Sequence, residues 1–355
     1  MTPANTTYSK PKVLIVEHDN IVGGGNVYVE RLVDLLKSEV DFYSVVVQPD
    51  HARRMRSAGV PTKTIPFPNL PARFVIGFLL CVCMICKYKI KLVQLNGAGP
   101  ASYALLFKLL GIKVIIARHV AVSYEKNVFK QKLYRFNCRC ADRIVSVSQT
   151  VADEHDFVHS KKVCTILNWV DEKPQEFYAV DNDVREKMIM YTSRLDETKG
   201  LLELLQAAKQ KTDWLLHIYG YGPLREAAER YCQENSVNAF FYGFKKMESS
   251  YYLGINAFVQ PSHSEGFSLA ACEAMSYGMP CVLSNIPAHR EISDNGRCAI
   301  LFRTGDPHDL GEKLECLLND HKMQAEIGSR AYEFVRLKYS EVVARDAYTA
   351  LYVNL

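Results

Sequence analysis

Little in this chain would carry it through or out of a membrane. Its apolar run from Phe74 to Cys86 covers thirteen residues, short of the roughly 20 needed to span a bilayer. Met1 to Lys10 is polar and unpatterned, without the basic-then-apolar order of a secretory signal. The protein is therefore expected to be cytoplasmic, and the Asn5-Thr6-Thr7 sequon to have no glycan to receive. Disulfide spacing is missing as well. Eleven cysteines make an odd count, which predicts reduced, mostly buried thiols. Cys83-Met84-Ile85-Cys86 has the CxxC form, with Cys138 and Cys140 as a second pair. Zinc pairs normally sit on polar or glycine-containing turns, so inside this apolar run core packing is expected. The formal charge of +4 is mild, and no dense basic stripe marks a nucleic-acid footprint. A small positive excess suits an anionic substrate or an anionic bilayer surface. Short internal repeats and low-complexity tracts are absent.

The dinucleotide fingerprint is absent too. Gly23-Gly24-Gly25 does not match G-x-G-x-x-G, and Glu17 precedes the turn, so a dinucleotide site is not expected in the first half. Three adjacent glycines still let a backbone approach a ligand, with helix-start amides facing it. A structural turn and an acceptor or phosphate loop both fit.

The 355 residues suit two α/β domains of ordinary size. In the first half, strands are expected at Lys12–Glu17, Tyr43–Val47, Leu92–Leu95, Val114–Ala117 and Arg143–Val147, alternating with helical stretches. A second series follows Pro174: Met188–Thr192, Leu215–Tyr219, Phe240–Tyr242, Ala257–Gln260, Cys281–Leu283 and Ala299–Phe302. Helices are expected at Gly200–Lys209, Leu224–Asn235, Leu269–Tyr277, Pro307–Leu318 and Lys322–Tyr339. This alternation predicts two Rossmann-like, doubly wound parallel sheets, over 1–170 and 171–338. The polar Asp171–Asp183 segment is the expected linker, and 339–355 reads as an amphipathic C-terminal helix. The Phe74–Cys86 run has two readings. It is a buried or half-buried helix, or a monotopic contact with anionic lipid, flanked by Arg73, Lys87, Lys89 and Lys91.

Chemistry concentrates where strands end in the second half. Glu265 falls on the loop after Ala257–Gln260, and Glu273 falls on the next helix. Eight positions would separate them by roughly 12 Å at about 1.5 Å per residue, too far for a glycosidase pair. Two acceptors gripping hydroxyls at either end of an extended ligand would fit. Between them the amides of Gly266, Phe267 and Ser268 stand at a helix N-terminus, a seat for phosphate. Two glutamates alone would be a solvated helix face. Arg194 and Lys199, however, follow the first strand of this half and could neutralise a diphosphate. Gly220-Tyr221-Gly222-Pro223 follows the next, as a tight turn keeping side chains clear of a pocket.

These segments together resemble the donor domain of glycosyltransferase family 4. The matching pieces are Ser193-Arg194-Leu195…Lys199-Gly200, Gly220-Tyr221-Gly222-Pro223, Phe241-Tyr242-Gly243-Phe244 and Pro261-Ser262…Glu265-Gly266-Phe267. Glu273-Ala274-Met275…Gly278-Met279-Pro280 and Arg290-Glu291-Ile292 complete the series. A weaker likeness runs through the first half, at Gly23–Gly25, Arg118-His119, Ala141–Ser148 and Asn168-Trp169-Val170-Asp171. The chain departs from the pattern in lacking a glycine pair at Ile286–Glu291 and in carrying Trp169 for the usual glycine.

The resemblance implies the GT-B fold, two Rossmann-like domains facing a cleft, with the acceptor on the first and a nucleotide-sugar on the second. It implies that Arg194 and Lys199 bind the donor diphosphate, Glu265 lies beside the sugar and Glu273 holds the ribose. Gly266, Phe267, Ser268 and Leu269 would contact sugar and phosphate through backbone, and Gly220 and Gly222 would shape the pocket. Gly243 and Phe244 would border the base, and His119 would lie near sugar and acceptor. The C-terminal helix would cross back to the first domain. The reaction implied is retaining transfer from a UDP- or GDP-linked sugar to a hydroxyl, without metal or other cofactor. Acceptors would be saccharides or lipid-linked saccharides of glycolipid, lipopolysaccharide or surface polysaccharide synthesis, with peripheral membrane contact and no nucleic acid. A non-catalytic GT-B subunit is the alternative, but would be expected to lose Arg194, Lys199 or Glu265.

Overall fold

Runs of aliphatic and β-branched residues build two parallel sheets in the computed structural model, which describes residues 10–19, 24–66, 72–119, 127–153, 161–171, 187–245 and 247–355. Gly23, the Asn5 sequon and the linker segment beyond Asp171 lie outside them. Contacts divide the chain into two compact units, one of residues 1–167 with 342–355, the other Asn168–Glu341.

The first unit carries β1 (Lys12–Glu17), β2 (Asp41–Val46), β3 (Thr62–Thr64), β4 (Leu92–Asn96), β5 (Lys113–Arg118), β6 (Arg143–Ser146) and β7 (Val163–Thr165). They lie in the order β3-β2-β1-β4-β5-β6-β7, all parallel. The expected central strands are there, with ends moved by one or two residues. The three-residue strands β3 and β7 were not expected: at sheet edges only a few backbone pairs form, and TKT carries no apolar run. Central strands are buried on both faces, as parallel sheets between helix layers must be. Their helices are α1 (Gly24–Leu36), α2 (Pro49–Ser57), α3 (Ala72–Tyr88), α4 (Ala98–Ala101), α5 (Ala104–Leu109), α6 (Val128–Cys140) and α7 (Gln149–Asp153).

Helix α3 contains the thirteen-residue apolar run. Gly77, Cys81, Met84 and Ile85 face the core, whereas Val75, Leu79, Cys83 and Cys86 are exposed. The expectation that the Cys83–Cys86 pair packs in the core is thereby corrected. A period of 3.6 residues puts 81, 84 and 85 on one face and 83 and 86 on the other. No helix among the described residues is long and apolar enough to cross a membrane.

The second unit carries β8 (Lys187–Thr192), β9 (Trp214–Tyr219), β10 (Ala239–Gly243), β11 (Ala257–Gln260), β12 (Cys281–Ser284) and β13 (Ile300–Phe302), in the order β10-β9-β8-β11-β12-β13. Its helices are α8 (Leu201–Ala207), α9 (Arg225–Asn235), α10 (Leu269–Ser276), α11 (Pro287–Ile292), α12 (Pro307–Leu318) and α13 (His321–Lys338). Helix α8 starts later than expected. A 3-10 turn covers Glu197–Lys199, and Gly200 at φ 67° breaks the spiral before Leu201. At the unit's far end Val170 donates its N–H to the Tyr339 carbonyl at 3.0 Å.

The final helix, α14 (Glu341–Val353), packs on the first unit from residue 342 onward. Tyr348 and Tyr352 are buried there, with Tyr348 Oη 2.6 Å from Tyr28 Oη and Tyr352 Oη donating to Gln94 Oε1 at 2.6 Å.

Candidate active site

In the second unit, the loops after β8 and β11 are fastened together at the C-terminal edge of the sheet. Asp196 caps the Glu197–Lys199 turn by accepting from Thr198 N at 2.9 Å and Thr198 Oγ1 at 2.6 Å. Burial disfavours its charged form, but the Thr198 hydroxyl and Arg194 outweigh that and hold its pKa below the usual value. The turn presents the Thr198 carbonyl to His263 N at 2.9 Å. Gly200 then passes so close to the next loop that a Cβ would sit 2.1 Å from the Pro261 carbonyl oxygen. Only glycine admits that approach at a left-handed φ.

This clamp delivers Lys199 to Glu265, Nζ to Oε1 at 2.7 Å, with both side chains largely buried. The same Oε1 accepts from Ser262 Oγ at 2.8 Å and Gln260 Nε2 at 3.2 Å. Three donors on one oxygen fix the carboxylate's orientation. Behind them the Ser284 hydroxyl donates to the Ser262 carbonyl, and His289 Nδ1 lies 2.9 Å from the Ser284 carbonyl. His289 is fully buried, and burial pushes its pKa down to about 4. It is neutral, donates through Nδ1, and leaves Nε2 as a bare acceptor.

Arg194 is placed differently. Its guanidinium is half exposed and turns back through Nε to its neighbour Asp196. Glu273 stands half-buried one turn into α10. Phe267 is a core residue, its ring edge-on to Tyr339 at 5.2 Å, so only its backbone can face a ligand. Ser268 precedes α10 at φ 67°, and its hydroxyl makes no cap. The first amides of α10 are thus left without the usual side-chain acceptor, which suits an incoming anion. Buried polar atoms without a protein partner gather along this edge: Thr192 Oγ1, Gln260 Oε1, Ser268 Oγ and His289 Nε2. Native interiors rarely leave such atoms unmet, and a polyhydroxylated, anionic ligand would meet them.

The two glycines after β9 have a structural reason. A Cβ at Gly220 would lie 1.8 Å from the Ser193 carbonyl oxygen, and one at Gly222 2.3 Å from that of Leu195. They seat the turn on the Arg194 loop, rather than clearing side chains from a pocket as expected. Gly243, the last residue of β10, turns at φ 72° and leads to Phe244, whose exposed ring stands edge-on to Tyr221 at 6.3 Å.

In the first unit, polar groups also collect at strand ends. Gly24 and Gly25 open α1, and a Cβ at Gly25 would lie 3.1 Å from Asp19 Oδ2 and 4.0 Å from Glu17 Oε1. The Asp19 carboxylate at that distance repels a phosphate and suits a hydroxyl ligand, whereas burial raises the pKa of Glu17. Glu17 is buried against His51, Oε2 to Nε2 at 2.6 Å, and His51 Nδ1 meets Glu30 at 2.6 Å. Burial opposes a charge on His51, but the two carboxylates prevail and raise its pKa to about 9. His119, at the end of β5, has its Nε2 buried, its ring edge-on to Tyr28 at 4.5 Å and its pKa lowered to about 4 by burial. His18 and Asn96 end the neighbouring strands β1 and β4, with His18 Nε2 and Asn96 Nδ2 also buried and unmet.

Residues 172–334 match the family described as glycosyl transferases group 1, and residues 22–173 match glycosyltransferase family 4. Two adjoining matches thus span both units. The chain belongs to glycosyltransferase family 4. It is 23% identical over 325 residues to an uncharacterised glycosyltransferase of Methanocaldococcus jannaschii, covering 88% of this chain and 90% of that one. It is 20% identical over 363 residues to the N,N'-diacetylbacillosaminyl-diphospho-undecaprenol alpha-1,3-N-acetylgalactosaminyltransferase of Campylobacter jejuni, covering 93% and 96%. The fold is shared with Anabaena HepE in complex with UDP and glucose, at a TM-score of 0.83, 14% identity and coverage of 97% and 100%.

The sequence pointed to Lys199 and Glu265 of this glycosyltransferase but not to the shell around them. Gln260, Ser262, Ser284 and His289 went unassigned because each is unremarkable alone. Polar residues at the last positions of otherwise apolar strands are the signal that could have found Gln260 and Ser284. The Glu17–His51–Glu30 group was also missed, since its members are joined only by the sheet.

Proposed function

We propose that this glycosyltransferase moves a sugar from a nucleoside diphosphate, UDP before GDP, to an acceptor hydroxyl with retention of configuration and without a metal. The observation that carries this is the buried Lys199–Glu265 pair, fixed by Gln260 and Ser262 beside the uncapped start of α10. Charge builds on the departing diphosphate as the glycosidic bond breaks. Lys199, the α10 amides and an Arg194 released from Asp196 would stabilise it electrostatically. Glu265, held in one orientation by its three donors, would stand beside the sugar's developing positive charge. Glu273 would hold the ribose, and Phe244 with Tyr221 would border the base. UDP is preferred because HepE, of the same fold, is complexed with UDP and glucose.

The acceptor is proposed to bind at the strand ends of the first unit, where Glu17, His18, Asn96 and His119 offer acceptors and donors for hydroxyls. The Campylobacter relative is named for a diphospho-undecaprenol substrate, and a lipid-linked saccharide is the acceptor class proposed here. Such an acceptor would keep the enzyme on the cytoplasmic side of a membrane, in contact with its surface.

A panel of UDP-, GDP- and ADP-sugars, assayed for hydrolysis and transfer, tests the proposal. Turnover of a UDP-sugar that falls by about 10²-fold or more in Glu265→Gln and Arg194→Ala is the expected result. A folded protein that neither binds nor consumes any of the panel would refute it.

A further inference from the structure

The exposed apolar surface of the first unit is not confined to α3. Helices α3, α5 and α6 share one core with the sheet, through Cys81, Met84, Phe107 and Cys138. Neighbours touch: Phe78 on α3 meets Phe107 on α5 at 5.2 Å between ring centres, and α5 packs along α6. The three form one layer on one face of the sheet. Their opposite sides expose Val75 and Leu79, then Leu105 and Leu109 with the adjoining Leu110, then Phe129 and Leu133. Single exposed aliphatics are ordinary, but stripes at helical spacing on three adjoining helices make a patch.

Charge on the same layer is of one sign. From His51 to Tyr124 the chain has eleven Lys or Arg and no Asp or Glu. Helix α6 adds four more bases and no acid. With a chain total of +4, everything outside 51–124 sums to −7. Arg53, Arg54 and Arg56 of this stretch lie on α2, but the layer itself carries Arg73 and Lys87 on α3, Lys108 on α5 and the four bases of α6, with no acid on any of the three helices. Lys87, Lys89, Lys91, Lys130 and Lys132 are exposed around it.

We propose that the α3–α5–α6 layer is a monotopic membrane-docking face, with Val75, Leu79, Leu109, Leu110, Phe129 and Leu133 entering the headgroup boundary of an anionic bilayer and the surrounding lysines meeting its phosphates. Asp142, just after α6, is taken up by Lys108 and Lys113, and apolar side chains ringed by the remaining bases match an anionic lipid surface in both of its components. A protein partner or nucleic acid would answer to only one of them. The proposal rests on the membrane-surface reading above and gives it a location.

Co-sedimentation of the full chain with phosphatidylcholine vesicles, with and without phosphatidylglycerol, tests it. Leu109 and Phe129 are 76% and 73% exposed, so Leu109→Ser with Phe129→Ser should leave folding and the melting temperature intact. The expected result is binding to anionic vesicles only, weakened by about tenfold or more in the double variant and by added salt. Wild-type protein that stays in the supernatant, or a double variant that binds as well as wild type, would overturn the assignment. So would a wild-type dimer that the double variant converts to monomer while neither binds lipid, which would give the face to a second copy. UDP-sugar hydrolysis measured without vesicles separates this outcome from the catalytic proposal. Lipid binding with no turnover sinks only the latter, and turnover with no lipid binding sinks only the former.

Discussion

Replacing Gly200 with alanine isolates the clamp that brings Lys199 to Glu265. Its φ of 67° is left-handed, which costs a non-glycine residue about 1 kcal/mol. The added Cβ would also stand 2.1 Å from the Pro261 carbonyl oxygen, about 1 Å inside van der Waals contact. Relieving that overlap moves one loop against the other at a further cost of about 2 kcal/mol. Gly254 provides the control in the same unit. Its φ is 75°, yet a Cβ there meets only the end of Met188 at 3.7 Å, so Gly254→Ala should lose only the backbone part. Urea unfolding should therefore show a loss of about 3 kcal/mol for Gly200→Ala against about 1 for Gly254→Ala. The Thr198–His263 and Lys199–Glu265 contacts lie on either side of the overlap. A shift of about 1 Å between them should lower donor turnover by about 10²-fold, while Gly254→Ala retains it. Equal stability losses, within about 0.5 kcal/mol, together with full turnover in Gly200→Ala would refute the clamp.

Lys199→Met should lower turnover by about 10²- to 10³-fold while the protein still melts cooperatively; unchanged single-turnover rates would remove Lys199 from the chemistry. His51 has a folded pKa raised to about 9 from 6.5, so its stabilisation is fully present below pH 6.5 and disappears as pH rises through about 9. The loss is on the order of 3 kcal/mol, and urea midpoints that do not differ between wild type and His51→Gln in their slope over that window would contradict it. Tyr352→Phe leaves the buried Gln94 Oε1 without its 2.6 Å donor, at a cost of about 1–3 kcal/mol; stability equal to wild type would mean that this hydrogen bond does not help hold α14.

Much of the fold was legible because parallel strands buried on both faces must be apolar throughout. Lys12–Glu17 and Ala257–Gln260 appeared with the expected ends. The helix Pro307–Leu318 did too, with proline at its start and Asp306 as its cap. Edge strands β3 and β7 were not legible, since pairing on one side makes no apolar demand. The cysteines divided by helical phase, and the face on which 83 and 86 fall depends on which side of α3 the sheet occupies.

The sequence by itself determined the chain's two α/β series and, through the residues that close each strand, where donor chemistry concentrates. Local spacing suffices for that, because a strand, its loop and the following helix are contiguous. Tertiary structure alone decided how those strand ends meet. Lys199 and Glu265 are 66 positions apart and become one ion pair only because β8 and β11 are neighbours in the sheet and Gly200 lets their loops touch. The same holds for Glu17 with His51, and for the apolar stripes of α3, α5 and α6. Each stripe is visible on its helix, but only the shared sheet face turns three of them into one surface.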